Sequence, residues 1–113
     1  MTAKELKEQL SKEYPVRIEM HAHTYPVSPC SEVKADELAE IYSKEGYNAV
    51  VLANHYILSL PEFNGLDKEQ VLDCYEGAFT EFEKACEKYG LKAIFGAEIR
   101  FTENNNDYLI YGV

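Results

Sequence analysis

The strongest constraint on the fold of this chain is a nearly continuous apolar run at residues 48–55, NAVVLANH. A run of this length and composition is typical of a strand covered on both faces, as in a parallel sheet. Segments with helical periodicity lie on either side of it, at residues 35–45 and 67–89. Because strands that alternate with helices form right-handed βαβ units, we predict an α/β domain with a parallel sheet.

Further segments complete a predicted element order of α-β-α-β-α-β-β. A short surface helix is predicted at residues 3–13, and a strand at 16–24, where polar and apolar residues alternate. Two more strands are predicted at 92–101 and 108–113. The polar segment ENNND precedes the last strand and indicates an antiparallel hairpin. Residues 56–66 are predicted to form a long loop.

Periodicity within these segments predicts which side chains share a face. Because side chains alternate along a strand, the first strand is expected to place on one face Arg17, Glu19, His21 and His23. The residues expected to be buried in the helix at 35–45 are Leu38, Ala39, Ile41 and Tyr42. The longest helix is predicted to begin with a capping box of Asp67 and Gln70, to end at Gly90, and to bury Cys74 and Cys86.

Residues 1–113 are predicted to form a single domain, since this length suits one hydrophobic core. Twenty acidic residues face eleven basic ones, and the net charge of −9 argues against nucleic-acid binding because an acidic field repels phosphate backbones. No apolar run reaches the roughly 18 residues of a membrane span. Three cysteines and a charged N-terminal segment without a signal peptide predict a reduced, cytoplasmic protein.

Four side chains with metal-binding chemistry fall at equivalent places in the predicted sheet. His21 and His23 lie at the C-terminal end of the first strand, His55 ends the second, and Glu98 lies near the end of the third. The C-terminal ends of parallel strands share one edge, so these side chains are predicted to converge. Imidazole and carboxylate groups suit a divalent transition metal, whereas a lone histidine would more often be an ordinary half-buried strand residue.

The sequence around these residues resembles the first three motifs of the PHP family, the polymerase and histidinol phosphatase domains. The family pattern is His-x-His-Thr, Thr-Asp-His and Gly-x-Glu, and the matching segments are His21-Ala22-His23-Thr24, Asn54-His55 and Gly96-Ala97-Glu98. The resemblance covers residues 16–113. It implies a distorted, TIM-like (βα)7 barrel, of which this chain would form a part, with one to three divalent ions that support phosphoester hydrolysis.

The chain departs from the family pattern in its length and at one motif position. Complete PHP domains are longer and supply later histidines and an Asp-x-His, whereas no histidine follows His55. The chain is therefore expected to correspond to the N-terminal half of the barrel. Asn54 stands where the family has an Asp that resembles a support for a metal-binding histidine. An amide still accepts a hydrogen bond but adds no charge, so we expect lower ligand basicity.

Two other residues have alternative interpretations. The family often places a further ligand in the loop after His-x-His-Thr, and Cys30 is the strong ligand type available there; the alternative is a small buried cysteine. Arg100 shares the predicted face of Glu98 and could bind phosphate through its bidentate fork. The alternative for Arg100 is a salt bridge within the hairpin.

The resemblance implies a metal-dependent phosphoesterase of histidinol-phosphatase type, which hydrolyses a small phosphorylated substrate with a metal-activated water. Zinc, manganese or iron would suit the ligands His21, His23, His55 and Glu98. The alternative is a non-catalytic, truncated metal-binding or self-associating module. An amidohydrolase also begins with His-x-His, but the short spacing to Asn54-His55 argues against it.

Self-association is expected in either case. A half barrel exposes sheet edges and apolar strand faces, which favour pairing with a second copy. We therefore predict a homodimer or a larger homo-oligomer.

Overall fold

The computed structural model describes residues 1–25, 27–28, 30–56, 65–101 and 105–112. Its elements follow the order α-β-α-β-β-α-β-β along the chain. The helices are α1 (Ala3–Glu13), α2 (Ala35–Lys44) and α3 (Lys68–Tyr89). The strands are β1 (Ile18–Ala22), β2 (Ala49–Leu52), β3 (His55–Tyr56), β4 (Lys92–Arg100) and β5 (Asp107–Tyr111). Most of the predicted loop at 56–66, and part of the predicted hairpin turn, lie outside the described residues.

The strands form a mixed sheet with a parallel centre, as the α/β prediction requires. β1 pairs with β2, and β2 and β3 pair with β4, all in parallel, whereas β5 runs antiparallel to β4. The described residues form an open sheet with β1 and β5 at its two edges. This arrangement is compatible with part of a TIM-like barrel.

The predicted strand at 48–55 is divided into β2 and β3, which corrects the predicted element order. Leu52 lies opposite Phe95, and His55 lies opposite Glu98, three residues further along both strands. β3 therefore continues the pairing edge of β2 without a change of register. The backbone at Asn54 stays in this edge, because the Glu98 N–H donates to its carbonyl at 3.0 Å. The same alignment places His55 at the start of β3 and not at the end of β2.

β1 contains a bulge that overturns the prediction of one shared face for its alternate residues. Glu19 lies opposite Val50 and Ala22 opposite Leu52, so three steps along β1 match two along β2. The added residue reverses the alternation of side chains. Arg17 stacks over the Tyr47 ring at 4.7 Å, near the end of α2, whereas the two histidines that follow contact β4.

Glu19 supports the backbone at this bulge. Its Oε1 accepts a hydrogen bond from the His21 N–H at 3.1 Å, and its carboxylate also hydrogen-bonds the Tyr42 hydroxyl on α2. Burial and, to a lesser degree, the neighbouring Glu19 charge together raise the pKa of Tyr42 to about 12. Tyr42 therefore stays protonated and holds Glu19 at the bulge.

The hydrophobic core lies between one face of the sheet and the helices α2 and α3. Its buried members include Val50 and Leu52 of β2, together with Leu38, Ala39, Phe82 and Cys86 from the helices. Two predictions of burial are wrong: Ile41 is 50% exposed, and Cys74 is exposed. Both lie beside the buried stripe of their helix and not on it, since their neighbours Leu38, Val71 and Tyr75 occupy the buried positions.

The ends of α3 follow the local sequence. Asp67 caps its N-terminus by accepting from the Gln70 N–H at 2.8 Å, and the Gln70 side chain accepts from the Asp67 N–H at 2.9 Å. Gly90 ends the helix with a φ of 75°, a left-handed conformation that glycine adopts without steric cost. None of the described helices combines the length and apolar character that a bilayer crossing requires.

Candidate metal centre

Three imidazoles converge on one carboxylate oxygen at the C-terminal end of the parallel strands. Oε2 of Glu98 lies 2.9 Å from Nε2 of His21, 2.8 Å from Nε2 of His23 and 3.2 Å from Nδ1 of His55. Glu98 is buried, with 7% of its surface exposed, whereas the His21 side chain is 41% exposed. The structure thus brings together the four residues selected from the sequence, in a site open to solvent on the side of His21.

The spacing of these atoms is compatible with a bound ion as well as with hydrogen bonds. The Nε2 atoms of His21 and His23 are 3.1 Å apart. Two nitrogens bound to one tetrahedral Zn²⁺ at about 2.0–2.1 Å would be roughly 3.3 Å apart. The ligand atoms of His21, His23 and Glu98 all lie within 4.8 Å of one another. These three residues therefore fit a divalent transition metal.

The Nδ1 atom of His55 provides an observation that favours a cation at this site. Its Nδ1 is buried and makes no hydrogen bond with any described residue, although Glu98 Oε2 is 3.2 Å away. The two atoms are close, but their geometry is not that of a hydrogen bond. The contact with Glu98 therefore does not give Nδ1 of His55 a hydrogen-bond partner. A buried nitrogen of this kind normally has a partner, and an ion at the centre would provide one.

The electrostatic environment keeps His23 in the form that binds metals. Burial lowers the pKa of His23 below its ordinary value, and the nearby His55 lowers it further, against the opposing effect of Glu98. A metal-binding imidazole must offer an unprotonated nitrogen. The lowered pKa therefore favours ligation at neutral pH.

Cys30 lies on the opposite side of the His23 ring. Its Sγ is 3.3 Å from Nδ1 of His23, and it is exposed, so the interpretation as a small buried cysteine is wrong. The ligand atoms of Cys30, His23 and His55 form a second group within 4.8 Å. His23 is thus common to both groups, with Nε2 directed to Glu98 and Nδ1 to Cys30.

Asn54 contacts the loop after β1 through a buried hydrogen-bond network. Its Oδ1 accepts from the Thr24 N–H and from the Ser28 hydroxyl, both at 2.8 Å, and its Nδ2 donates to Thr24 Oγ1 at 3.1 Å. These are the hydrogen bonds that the described residues give its side chain. The hydrogen bonds of the Asn54 side chain therefore hold the loop that follows His23, and they do not go to an imidazole ring.

Sequence reasoning missed Ser28 and Tyr75, which contact the backbone of His55. The His55 N–H donates to Ser28 Oγ at 3.0 Å, and the Tyr75 hydroxyl donates to the His55 carbonyl. Tyr75 is one of the buried residues of α3, and the apolar pattern of a helix indicates packing but no polar contact. Ser28 lies in a loop without periodicity, where no pattern distinguishes a buried serine from an exposed one.

Arg100 is engaged within the hairpin. Its Nε and Nη2 donate to the two carboxylate oxygens of Asp107 at 2.8 and 3.0 Å. The hydrogen bond from Arg100 lowers the pKa of Asp107 below its usual range. This is the hairpin salt bridge set out above as the alternative to phosphate binding.

Comparison with known proteins identifies the family of the chain. A family model described as the PHP domain matches residues 19–111, a range that contains β2 to β5, β1 from its second residue, and the three histidines with Glu98. No curated protein matches the chain significantly.

Proposed function

Because the chain belongs to the PHP domain family, whose members are metal-dependent phosphoesterases, we propose that it is an enzyme of the histidinol-phosphatase type. Its proposed reaction is the hydrolysis of a phosphomonoester or a phosphodiester. The proposed ligands are His21, His23, His55 and Glu98, and the proposed ion is zinc, manganese or iron. The observation that carries the proposal is the convergence of three imidazoles on Glu98 Oε2. Cys30 is proposed as a further ligand because its sulfur adjoins His23.

When bound, such an ion supplies Lewis-acid stabilisation of the phosphate oxygens and lowers the pKa of a coordinated water. The residues of the chain provide the environment for this chemistry. Glu98 contributes a buried negative charge that offsets the charge of the cation. His23 stays neutral through burial, and the partly exposed His21 leaves the substrate an approach from solvent.

The charges near the site support a small substrate. The chain has a net charge of −9, which disfavours the approach of a long polyanion such as a nucleic acid. Arg100 is paired with Asp107 through two hydrogen bonds, so a phosphate would have to displace a bidentate partner to reach it. We therefore propose that the phosphate is bound chiefly at the metal centre.

A second candidate function is a non-catalytic metal-binding module that associates with a second copy. The observation that favours it is the exposure of β5, where Tyr108, Leu109, Ile110 and Tyr111 are each 37–43% exposed. An exposed apolar edge strand is a surface for strand pairing. The two candidates share the metal site and differ in whether turnover follows metal binding.

The test measures metal content and turnover on the same samples. The purified chain, loaded with Mn²⁺, Zn²⁺ or Fe²⁺, is assayed with p-nitrophenyl phosphate and bis(p-nitrophenyl) phosphate. We expect low but metal-dependent turnover, because the four ligands suffice for one ion and part of a second, and we expect Glu98→Ala to abolish it. Full metal loading without turnover of either ester would favour the module. Equal metal content in a His21→Ala, His23→Ala double variant would refute the ligand assignment.

A further inference from the structure

Ser28 is a fully buried serine, with 0% of its surface exposed, in the loop that joins His23 to Cys30. Its hydroxyl donates to Asn54 Oδ1 at 2.8 Å and accepts from the His55 N–H at 3.0 Å. The directions of these bonds are fixed, because a backbone N–H can only donate and the hydroxyl has a single proton. The side chain therefore joins the loop to the first residue of β3.

The backbone of Ser28 holds the loop on both sides of it. Its N–H donates to the Thr24 carbonyl at 2.9 Å, and its carbonyl accepts from the Ser31 N–H at 3.0 Å. The Ser31 hydroxyl in turn donates to the His23 carbonyl at 3.3 Å. His23 and Cys30, two residues of the candidate centre, therefore lie in a stretch of chain that the backbone hydrogen bonds of Ser28 help to hold in place.

These contacts make Ser28 a direct connection between the loop after β1 and the backbone of His55. His21 and Glu98 are placed by β1 and β4 themselves, whereas His23 and Cys30 follow β1 in the loop. Asn54, the residue before His55, bonds this loop at Thr24, and the bond made by the Ser28 hydroxyl reaches the His55 backbone itself. A shift of β3 relative to the loop would separate His55 from both Cys30 and His23.

We propose that Ser28 is a positioning residue of the metal centre, which holds His55 at the distance from His23 and Cys30 that ligation requires. This inference rests on the proposed metal-binding function and adds a residue that contacts no ion. Without the hydroxyl, the His55 N–H loses its acceptor and Asn54 loses one of its donors. Groups that support a ligand in this way commonly change metal affinity about 10- to 100-fold.

The test compares Ser28→Ala with wild-type protein and with Ser43→Ala. Ser43 is a suitable control because its hydroxyl also makes a hydrogen bond between distant parts of the chain, donating to the Tyr89 carbonyl at 3.0 Å. Zn²⁺ affinity is measured by competition with a chelating dye. We expect Ser28→Ala to weaken binding about 10- to 100-fold and Ser43→Ala to leave it unchanged.

Amide hydrogen exchange in the metal-free proteins separates positioning from a general loosening of the loop. The Ser31 N–H bonds the Ser28 backbone, whereas the His55 N–H bonds its hydroxyl. Positioning through the hydroxyl predicts faster exchange at His55 alone in Ser28→Ala. Faster exchange at both amides, or wild-type Zn²⁺ affinity in Ser28→Ala, would overturn the inference. Absence of Zn²⁺ binding by the wild-type chain would instead refute the proposed function.

Discussion

His55 and Glu98 are direct partners across the parallel pairing of β3 with β4, and Nδ1 of His55 lies 3.2 Å from Glu98 Oε2. The backbone places this pair, since the Glu98 N–H donates to the carbonyl of Asn54, the residue before His55. A ligand pair fixed by sheet register needs no rearrangement when an ion binds. The carboxylate at the centre of this arrangement is the first target for mutation.

Glu98→Gln should leave the fold intact and reduce Zn²⁺ affinity by about 100-fold or more, since the amide keeps the shape but removes the charge. The same change should lower the pKa of His23 further, because Glu98 raises it. Dye competition measures the affinity, and an NMR titration follows His23. Glu81→Gln, at an exposed position on α3, is the matched control. Unchanged affinity in Glu98→Gln would exclude Glu98 as a ligand.

The metal-free protein should lose stability as the pH falls below about 6.5, the ordinary pKa of histidine. The folded-state pKa of His23 is lowered, so the unfolded chain binds more protons in this range and the free energy of unfolding decreases with decreasing pH. The loss should end below the folded-state pKa. Urea unfolding between about pH 4 and 8, a range on both sides of the ordinary histidine pKa, measures the dependence. A His23→Asn variant that retains the full wild-type slope would contradict this origin.

Asn54→Asp should strengthen metal binding by about tenfold. One carboxylate oxygen can accept from the Thr24 N–H and the Ser28 hydroxyl as the amide oxygen does, and the other can accept from the Thr24 hydroxyl after it rotates. The added negative charge favours a cation at the centre. Zn²⁺ affinity and thermal unfolding are compared with Asn54→Ala, which should weaken binding. Equal affinity of the Asp variant and wild type would show that charge at this position has no influence.

Gly96→Ala should destabilise the protein by about 1–3 kcal/mol. A Cβ at Gly96 would lie 2.8 Å from the Ile110 carbonyl oxygen and 2.9 Å from Val51 Cγ1, and the backbone atom cannot move without disturbing the pairing of β4 with β5. Gly77→Ala is the control, because nothing lies within 4 Å of its added Cβ on α3. It should stabilise the helix by about 0.5–1 kcal/mol. Urea unfolding that shows equal effects would contradict the close approach at Gly96.

The exposed β5 edge leads us to expect a homo-oligomer in solution. Leu109→Lys, a charge on this edge, should reduce the mass measured by light scattering towards the 12.9 kDa of one chain. Leu72→Lys replaces a leucine of similar exposure on α3 and should leave the mass unchanged. A wild-type mass of one chain at micromolar concentration would refute the expectation.

The sequence was sufficient to predict the helices, the parallel centre of the sheet and the convergence of the three histidines with Glu98. These depend on periodicity and on the shared edge of parallel strands, which are local or topological properties. The bulge in β1 was not predictable, because HAHT continues the alternation of polar and apolar residues in VRIEM across it. The break between β2 and β3 was hidden for a similar reason, since Ala53 continues the apolar run.

The contacts of Ser28 and Asn54 depend on the meeting of a loop with a strand about 26 residues later in the chain. No spacing rule covers such a pair, so the motif suggested a role for Asn54 beside a histidine without indicating its partners. Ile41 shows the related limit in a helix. The periodicity of α2 permits burial of Ile41, but the width of the interface between α2 and α3 decides which side chains the core covers.

The bulge in β1 restricts how this strand can vary in length. It lies between Glu19, which contacts Tyr42 of α2, and Ala22, where the pairing with β2 resumes. Deleting Met20 would restore uniform pairing only by turning the part of β1 before or after the bulge to the wrong side of the sheet, because side chains alternate with every residue. A single-codon deletion, which a surface loop tolerates, would therefore separate either Glu19 or His21 from its partners at this position.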